Sequence, residues 1–297
     1  MPNKNGKLRI LSICTSAGLW DKAWIDAGHE VIAGCELMAR KRDLYQKFCG
    51  PTEFICHDLA DLPSAVRGMN FDLIIGGPSC QSHTKLKSFV DPKFPDLTPL
   101  VNDLVDTGVA DNYLFENVVP VDVTGAKNIA LNAMNFPVYI EKNKPLHQSR
   151  KRFFTCSQNL TFPSNIIEGT TNSLMAYAIV IGKVYGAGRA AALQGWPSFA
   201  KLDAPSKHIM EALADGVPKG LADAWIKTIE RDLCPSTFST GAYITHEKRT
   251  SKSEEKILTA IETLKYSGKK ITKTAVAKIV DISREQLSRR YQHLFAA

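Results

Sequence analysis

No two of the seven cysteines form a C-x-x-C pair, and none stands at a metal-ligand spacing. A zinc ribbon, a dithiol redox centre and a disulfide scaffold are therefore not expected, nor is any metal. The cysteines read instead as separate reduced thiols. No apolar run reaches the roughly 20 residues of a membrane helix. The opening MPNKNGKLRILSI also lacks the apolar core of a signal peptide. A cytoplasmic protein with no membrane partner is expected. Internal repeats are missing as well, which argues against a solenoid.

Most of the chain lacks net charge too. From Glu247 to Ala297 there are 12 Lys/Arg against 6 Asp/Glu, leaving 25 basic and 24 acidic residues before that point. The +7 net charge is thus almost wholly C-terminal. A basic block on a neutral body points to a polyanionic partner, most simply nucleic acid. The 297 residues, 44% of them hydrophobic, suffice for a proper core.

What is present first is alternation. KLRILSIC, HEVIAGCE, FICHDL, FDLIIGG and NYLFENV read as short strands, while GLWDKAWIDAG and ARKRDLYQKF have helical patterns. The expected fold class is α/β, a Rossmann-like and largely parallel sheet with helices on both faces. Ligands of such sheets bind at the carboxyl ends of the strands. CPSTFSTGAYITHEKRTSKS then breaks the pattern, and a linker is expected over residues 236–250. Beyond it, SEEKILTAIETLKY, KTAVAKIV and SREQLSRRYQHLF predict a small all-α unit over 251–297. The last two helices are spaced as a helix-turn-helix, with Arg284, Arg289 and Arg290 available to DNA. The same helices could equally pair two copies of the chain.

The segment FDLIIGGPSCQSHTKL places a thiol, Cys80, just past a predicted strand end. Gly76 and Gly77 permit a tight turn and Pro78 fixes one dihedral, so Cys80 is held as a nucleophile would be. The turn GGPSCQ resembles the Gly-Gly-Pro-Pro-Cys-Gln motif of the DNA (cytosine-5) methyltransferases, with Ser79 replacing one proline. FENV follows 36 residues later, like the family's Glu-Asn-Val. QSRKRFF is similar to its Gln-x-Arg-x-Arg, GRAAALQGWPSFAKL to its Arg-Glu-x-Ala-Arg-Leu-Gln-Gly-Phe-Pro, and ADGVPKGLADAWIKTI to its Gly-Asn-x-Val-Pro. The matches keep the family's order over residues 10 to 230, within an expected catalytic domain of 1–235.

The resemblance implies S-adenosyl-L-methionine as methyl donor, double-stranded DNA as substrate, and restriction–modification on bacterial or phage DNA as the setting. It implies that Cys80 adds to cytosine C6, that Glu116 meets N3, and that Arg152 meets O2 with Arg150 in support. Gln81, Ser82, Asn117 and Gln148 are the further substrate contacts it implies. For the cofactor it points to Cys14, Ser16, Gly18 and Leu19, to Glu36 and Leu37 at the ribose, to Asp58 and Leu59 at the adenine, and to Pro78, Asp215 and Val217. The first cofactor motif of the family reads Asp-x-Phe-x-Gly-x-Gly-Gly. Here Cys14 replaces Phe, Ser16 replaces a glycine, and Asp215 stands where Asn is usual. Only about 35 positions separate Phe154 from Arg189, where the family carries a recognition domain, so 155–188 is a reduced segment. Target choice would then fall to the C-terminal unit, a second copy or a specificity partner. A cytosine methyltransferase of RNA or single strands, and a catalytically silent DNA-binding protein, remain the alternatives. On the leading reading, Cys80→Ala abolishes methyl transfer from radiolabelled cofactor but leaves the melting curve and most DNA affinity intact. Near-native turnover of that variant would overturn the assignment of the nucleophile.

Overall fold

The computed structural model describes residues 6–79, 95–141, 144–163, 186–234, 256–261, 263–264, 271–280 and 287. The chain divides into two compact units, residues 1–234 and 235–297. Cys80, Gln81, Ser82, Arg284, Arg289 and Arg290 lie outside the described residues.

The first unit is built on seven strands: β1 (Arg9–Ile13), β2 (Glu30–Cys35), β3 (Phe54–Cys56), β4 (Leu73–Gly76), β5 (Tyr113–Asn117), β6 (Lys127–Asn132) and β9 (Lys151–Cys156). Their order in the sheet is β3-β2-β1-β4-β5-β9-β6. The pairs β1·β2, β1·β4, β2·β3 and β4·β5 are parallel. β9 enters between β5 and β6 antiparallel to both. A separate antiparallel pair joins β7 (Val138–Glu141) to β8 (Lys144–Leu146).

The central strand shows why the sheet needs helices on both sides. Leu8 and Ile10 join one core cluster, Leu11 and Ile13 the other, and all four are wholly buried. A strand apolar on both faces is what a parallel sheet covered twice requires. On one face α1 (Leu19–Asp26) and α7 (Lys219–Leu233) bring Trp24 and Trp225 against Phe154 and Leu8. Trp20 meets the Phe154 ring edge-on and Trp225 tilts against it, with centroids 6.1 and 5.3 Å away. On the other face α3 (Leu62–Ala65) and α4 (Thr98–Asp106) supply Leu62, Val101 and Leu104. The helices α2 (Ala39–Cys49), α5 (Ala187–Leu193) and α6 (Ser206–Asp215) complete the unit.

β6 and β9 have no counterpart in the alternation read from the sequence. KNIALN is exposed at every second position near its start, as an edge strand should be, and contains too few apolar residues to stand out. Thr155 and Cys156 belong to β9 and are buried in the sheet, so the start of the reduced segment is part of the core.

In the second unit, Ile257, Ala260, Leu264, Val276 and Leu287 form a separate small core. Residues 256–261 are helical, and α8 (Lys273–Val280) follows. Thr272 Oγ1 accepts the amide of Ala275 at 3.1 Å, a capping interaction at the start of α8. The expected turn and final helix lie, apart from Leu287, outside the described residues. Among the described residues no helix is long and apolar enough to cross a membrane, and no cluster of His, Cys, Asp or Glu could hold a metal.

Gly76 sets how closely β4 can approach β1. A Cβ there would lie 2.4 Å from both Cγ1 and the carbonyl oxygen of Ile13. Gly76→Ala is expected to lower the unfolding free energy by about 1–3 kcal/mol in urea titration, the usual cost of overpacking. An unchanged midpoint would show that the two strands can separate at no cost.

Candidate active site

Strand order reverses direction at β1 and β4, and a crevice opens beyond their carboxyl ends. Residues following β1, β2, β4 and β5 line a cavity of about 490 Å³ there. Its walls include Cys14, Ser16, Glu36, Asp58, Pro78, Glu116 and Val217. Widely spaced parts of the sequence thus meet, largely because the parallel strands all end on the same side.

The loop after β1 has an uncommon backbone. Cys14 and Ser16 take positive φ, 49° and 50°, and Gly18 follows at 77°. A left-handed non-glycine residue costs roughly 1–2 kcal/mol, so the loop keeps a glycine-like path without the glycines. Ser16 N–H donates to Glu36 Oε2 at 2.8 Å and Thr15 N–H to the Cys35 carbonyl at 3.3 Å. Gly18 itself is irreplaceable on space as well as φ, since a Cβ would fall 2.5 Å from Cys49 Sγ. Cys14 is pushed up to about 12 by burial and then by the charge of Glu36. It is therefore a neutral thiol and no nucleophile.

Glu36 is anchored twice, its Oε1 accepting Met38 N–H at 2.9 Å. Arg42 Nη1 donates to the carbonyls of Glu36 and Leu37 at 2.6 and 2.9 Å, which fixes the turn. Leu37 is left half-exposed at the rim of the cavity. Asp58 uses Oδ1 to accept Ala60 N–H at 3.0 Å, and Leu59 behind it is buried. Asp215 pairs with Lys41 Nζ at 2.8 Å. Burial pulls the Lys41 ammonium down, but Asp215 and then Glu36 outweigh it and hold the group above the usual lysine range.

These groups suit a nucleoside carrying an amino-acid tail. Glu36 and Asp58 each retain acceptor capacity at strand ends, with apolar Leu37, Leu59 and Val217 nearby to cover a flat ring. Ser16 Oγ, buried and without a hydrogen-bond partner, is an orphan that a polar ligand would satisfy. The residues present therefore fit S-adenosylmethionine.

Glu116, the residue before the last of β5, is buried, 7% exposed. Arg152 Nε stands 2.8 Å from its Oε1, an ion pair poorly aligned for a hydrogen bond. Burial raises the Glu116 carboxyl above the usual range and prevails over Arg152 and Arg150, which lower it. Arg150 does different work. Its Nη2 donates to the carbonyls of Ala214 and Gly216 at 2.6 and 3.3 Å, tying β9 to the segment that carries Asp215. Asn117 donates from Nδ2 to the Pro78 carbonyl at 3.2 Å and accepts Val118 N–H at 2.7 Å. It thus braces the turn that leads into position 80. Gln148, 2% exposed, is buried and is not among the residues that line the cavity.

Among the lining residues that escaped the sequence reading are two charged ones, Asp21 and Lys41. Both sit on helices among other charges, where a carboxylate in the first turn or a lysine ordinarily reads as a solvated group. The pairing of Lys41 with Asp215, far along the chain, carries no sequence signal.

No protein-family model and no curated protein sequence matches this chain. Solved structures do. The Dnmt2 methyltransferase of S. pombe superposes with a TM-score of 0.51 at 11% identity, covering 77% of this chain and all of that one (100%). An E. coli protein encoded within a prophage, and named as a DNA modification methyltransferase, gives a TM-score of 0.52 at 14% identity with the same 77% and 100% coverage. The chain has the cytosine-5 methyltransferase fold. At these identities the fold is what is shared.

The Arg150 tether can be tested directly. Arg150→Ala removes two charge-assisted hydrogen bonds and is expected to cost about 2–3 kcal/mol. Amide exchange at residues 214–217 should accelerate in mass spectrometry. Unchanged exchange there would show that the arginine is not what holds the segment.

Proposed function

We propose that the chain transfers a methyl group from S-adenosylmethionine to C5 of cytosine in double-stranded DNA, through a covalent bond from Cys80 to C6. The observation that carries this reading is the buried Glu116–Arg152 pair, placed beside the Gly76–Gly77–Pro78 turn that runs into Cys80. The bound cofactor would supply an electrophilic methyl group on sulfur. Everything else falls to the protein's own side chains.

Addition of the Cys80 thiolate to C6 pushes electrons towards N3 and O2. Glu116, raised by burial, is suited to share a proton with N3 as that charge develops. Arg152, beside Glu116, would donate to O2. After transfer, loss of the C5 proton to solvent, return of the N3 proton to Glu116 and departure of Cys80 as thiolate restore the aromatic ring. Asn117 acts as a positioning residue through its hold on Pro78. Glu36 and Leu37 would take the ribose, Asp58 and Leu59 the adenine, with Pro78, Asp215 and Val217 closing the pocket. The target base must leave the duplex to reach such a recessed site.

For the basic unit we propose DNA contact. Cutting after Thr245 removes a block with a balance of +6. DNA affinity should fall and its salt dependence should flatten, because fewer counterions are released. A truncation that halves the mass in light scattering and leaves the salt slope unchanged would assign the unit to dimerisation instead.

Duplex DNA with 5-fluorocytosine at the target should trap a covalent adduct on Cys80, since fluorine cannot leave as a cation. Labelled methyl transfer to duplex DNA, RNA and single-stranded DNA in parallel decides the substrate. Glu116→Gln is expected to lower turnover by about 10²-fold or more and to leave cofactor affinity unchanged. The opposite split would remove Glu116 from the chemistry.

A further inference from the structure

One carboxylate in the cavity has no part in the reading above. Asp21 lies in the first turn of α1, is 2% exposed, and lines the same cavity. Its Oδ1 accepts the Ser12 hydroxyl at 2.9 Å, while Oδ2 is buried without a hydrogen-bond partner. No ion pair to Asp21 exists among the described residues. The groups that face it are Ser12 from β1 and Tyr45 and Cys49 from α2. Tyr45 and Cys49 are both held neutral by burial, and Asp21 raises each further. Burial pushes Asp21 up to about 6, against the lowering by Ser12 and Tyr45. A buried carboxylate faced by hydroxyls but by no cation among the described residues costs stability near neutral pH, and a bound cation would offset that cost.

Two further orphans share this wall. Trp20 Nε1 and Ser16 Oγ are buried without hydrogen-bond partners, and both residues line the cavity. One unpaired acceptor with two unpaired donors is the complement of a zwitterion, an ammonium beside a carboxylate.

We propose that Asp21 is the counter-ion for the α-ammonium group of the cofactor's amino-acid end, with Trp20 Nε1 and Ser16 Oγ donating to its α-carboxylate. This rests on the cofactor reading above and adds the residues that select the amino-acid end.

The test compares two ligands by calorimetric titration. S-adenosylhomocysteine carries the amino-acid end, and 5′-methylthioadenosine shares the nucleoside and sulfur but lacks it. In Asp21→Asn, affinity for S-adenosylhomocysteine should fall on the order of 10- to 100-fold, as for a lost charge-assisted hydrogen bond. Affinity for 5′-methylthioadenosine should stay within about twofold. The unmodified protein provides a second arm that needs no variant. Lowering the pH from about 7 to about 5 protonates Asp21 and leaves the ligand's amine charged. Only S-adenosylhomocysteine should then weaken.

The melting temperature supplies the readout that a purely structural role would move the other way. With a folded pKa above the unfolded one, the destabilisation by Asp21 is absent below the unfolded value and complete above about 6. Asp21→Asn should therefore melt no lower than the unmodified protein at neutral pH. A lower melt, equal losses for both ligands, or an unchanged preference for S-adenosylhomocysteine each overturns the inference. If the unmodified protein binds neither ligand, the cofactor reading falls together with it. If it binds both and the variant changes nothing, this inference alone falls.

Discussion

The candidate site depends on one interaction above others, the grip of Glu36 on the loop after β1. That loop runs through left-handed Cys14 and Ser16, a path that L-residues resist. The Ser16 amide bound to Glu36 at 2.8 Å holds it there, and Glu36 is kept in place by Met38 N–H. Without that hold the loop would relax, and the wall containing Ser16, Trp20 and Asp21 would lose its shape. The cost is local strain, and strain of this kind persists only where the surroundings over-determine the backbone.

The opposite wall is organised by β9. Residues two apart on a strand point to the same face, so Arg150, just before β9, and Arg152 within it project to the same side as Phe154. Phe154 fills the core between Trp20 and Trp225. Arg152 reaches Glu116, and Arg150 reaches the carbonyls on either side of Asp215. One strand therefore joins the aromatic core, the buried carboxyl and the closing segment. Its antiparallel insertion next to β5 is what brings the arginines to the end of β5.

Electrostatics then separates the roles of groups that look alike in sequence. Of the carboxylates around the cavity, Glu36 is satisfied by amides, Asp58 by one amide, and Asp215 by Lys41. Glu116 and Asp21 are the two raised by burial. The first has Arg152 as a partner, and the second has the hydroxyls of Ser12 and Tyr45 beside it but no cation among the described residues. Carboxyls pushed towards neutral pH in a cleft are where function is to be sought.

Much of this was legible beforehand. Hydrophobic alternation located β1 to β5 and the first two helices, because a parallel sheet covered on both faces must repeat short apolar strands between amphipathic helices. The motifs GGPSCQ, FENV and QSRKRFF singled out Pro78, Glu116, Asn117, Arg150 and Arg152, which line one cavity, while Cys80 itself lies outside the described residues. The reversed β9 and the edge strand β6 were not legible, since a strand's direction and its neighbours depend on long-range pairing. Nor was the division of labour between Arg150 and Arg152, two residues of one motif with different partners. Asp21 was invisible for a related reason: the residue's type says acid, and only the packing of β1 and α2 around α1 leaves one oxygen buried and alone. Local pattern is a property of neighbours along the chain, so the sequence determined the elements and the reactive residue types. Desolvation and partner choice are properties of neighbours in space, and those only the tertiary structure decided.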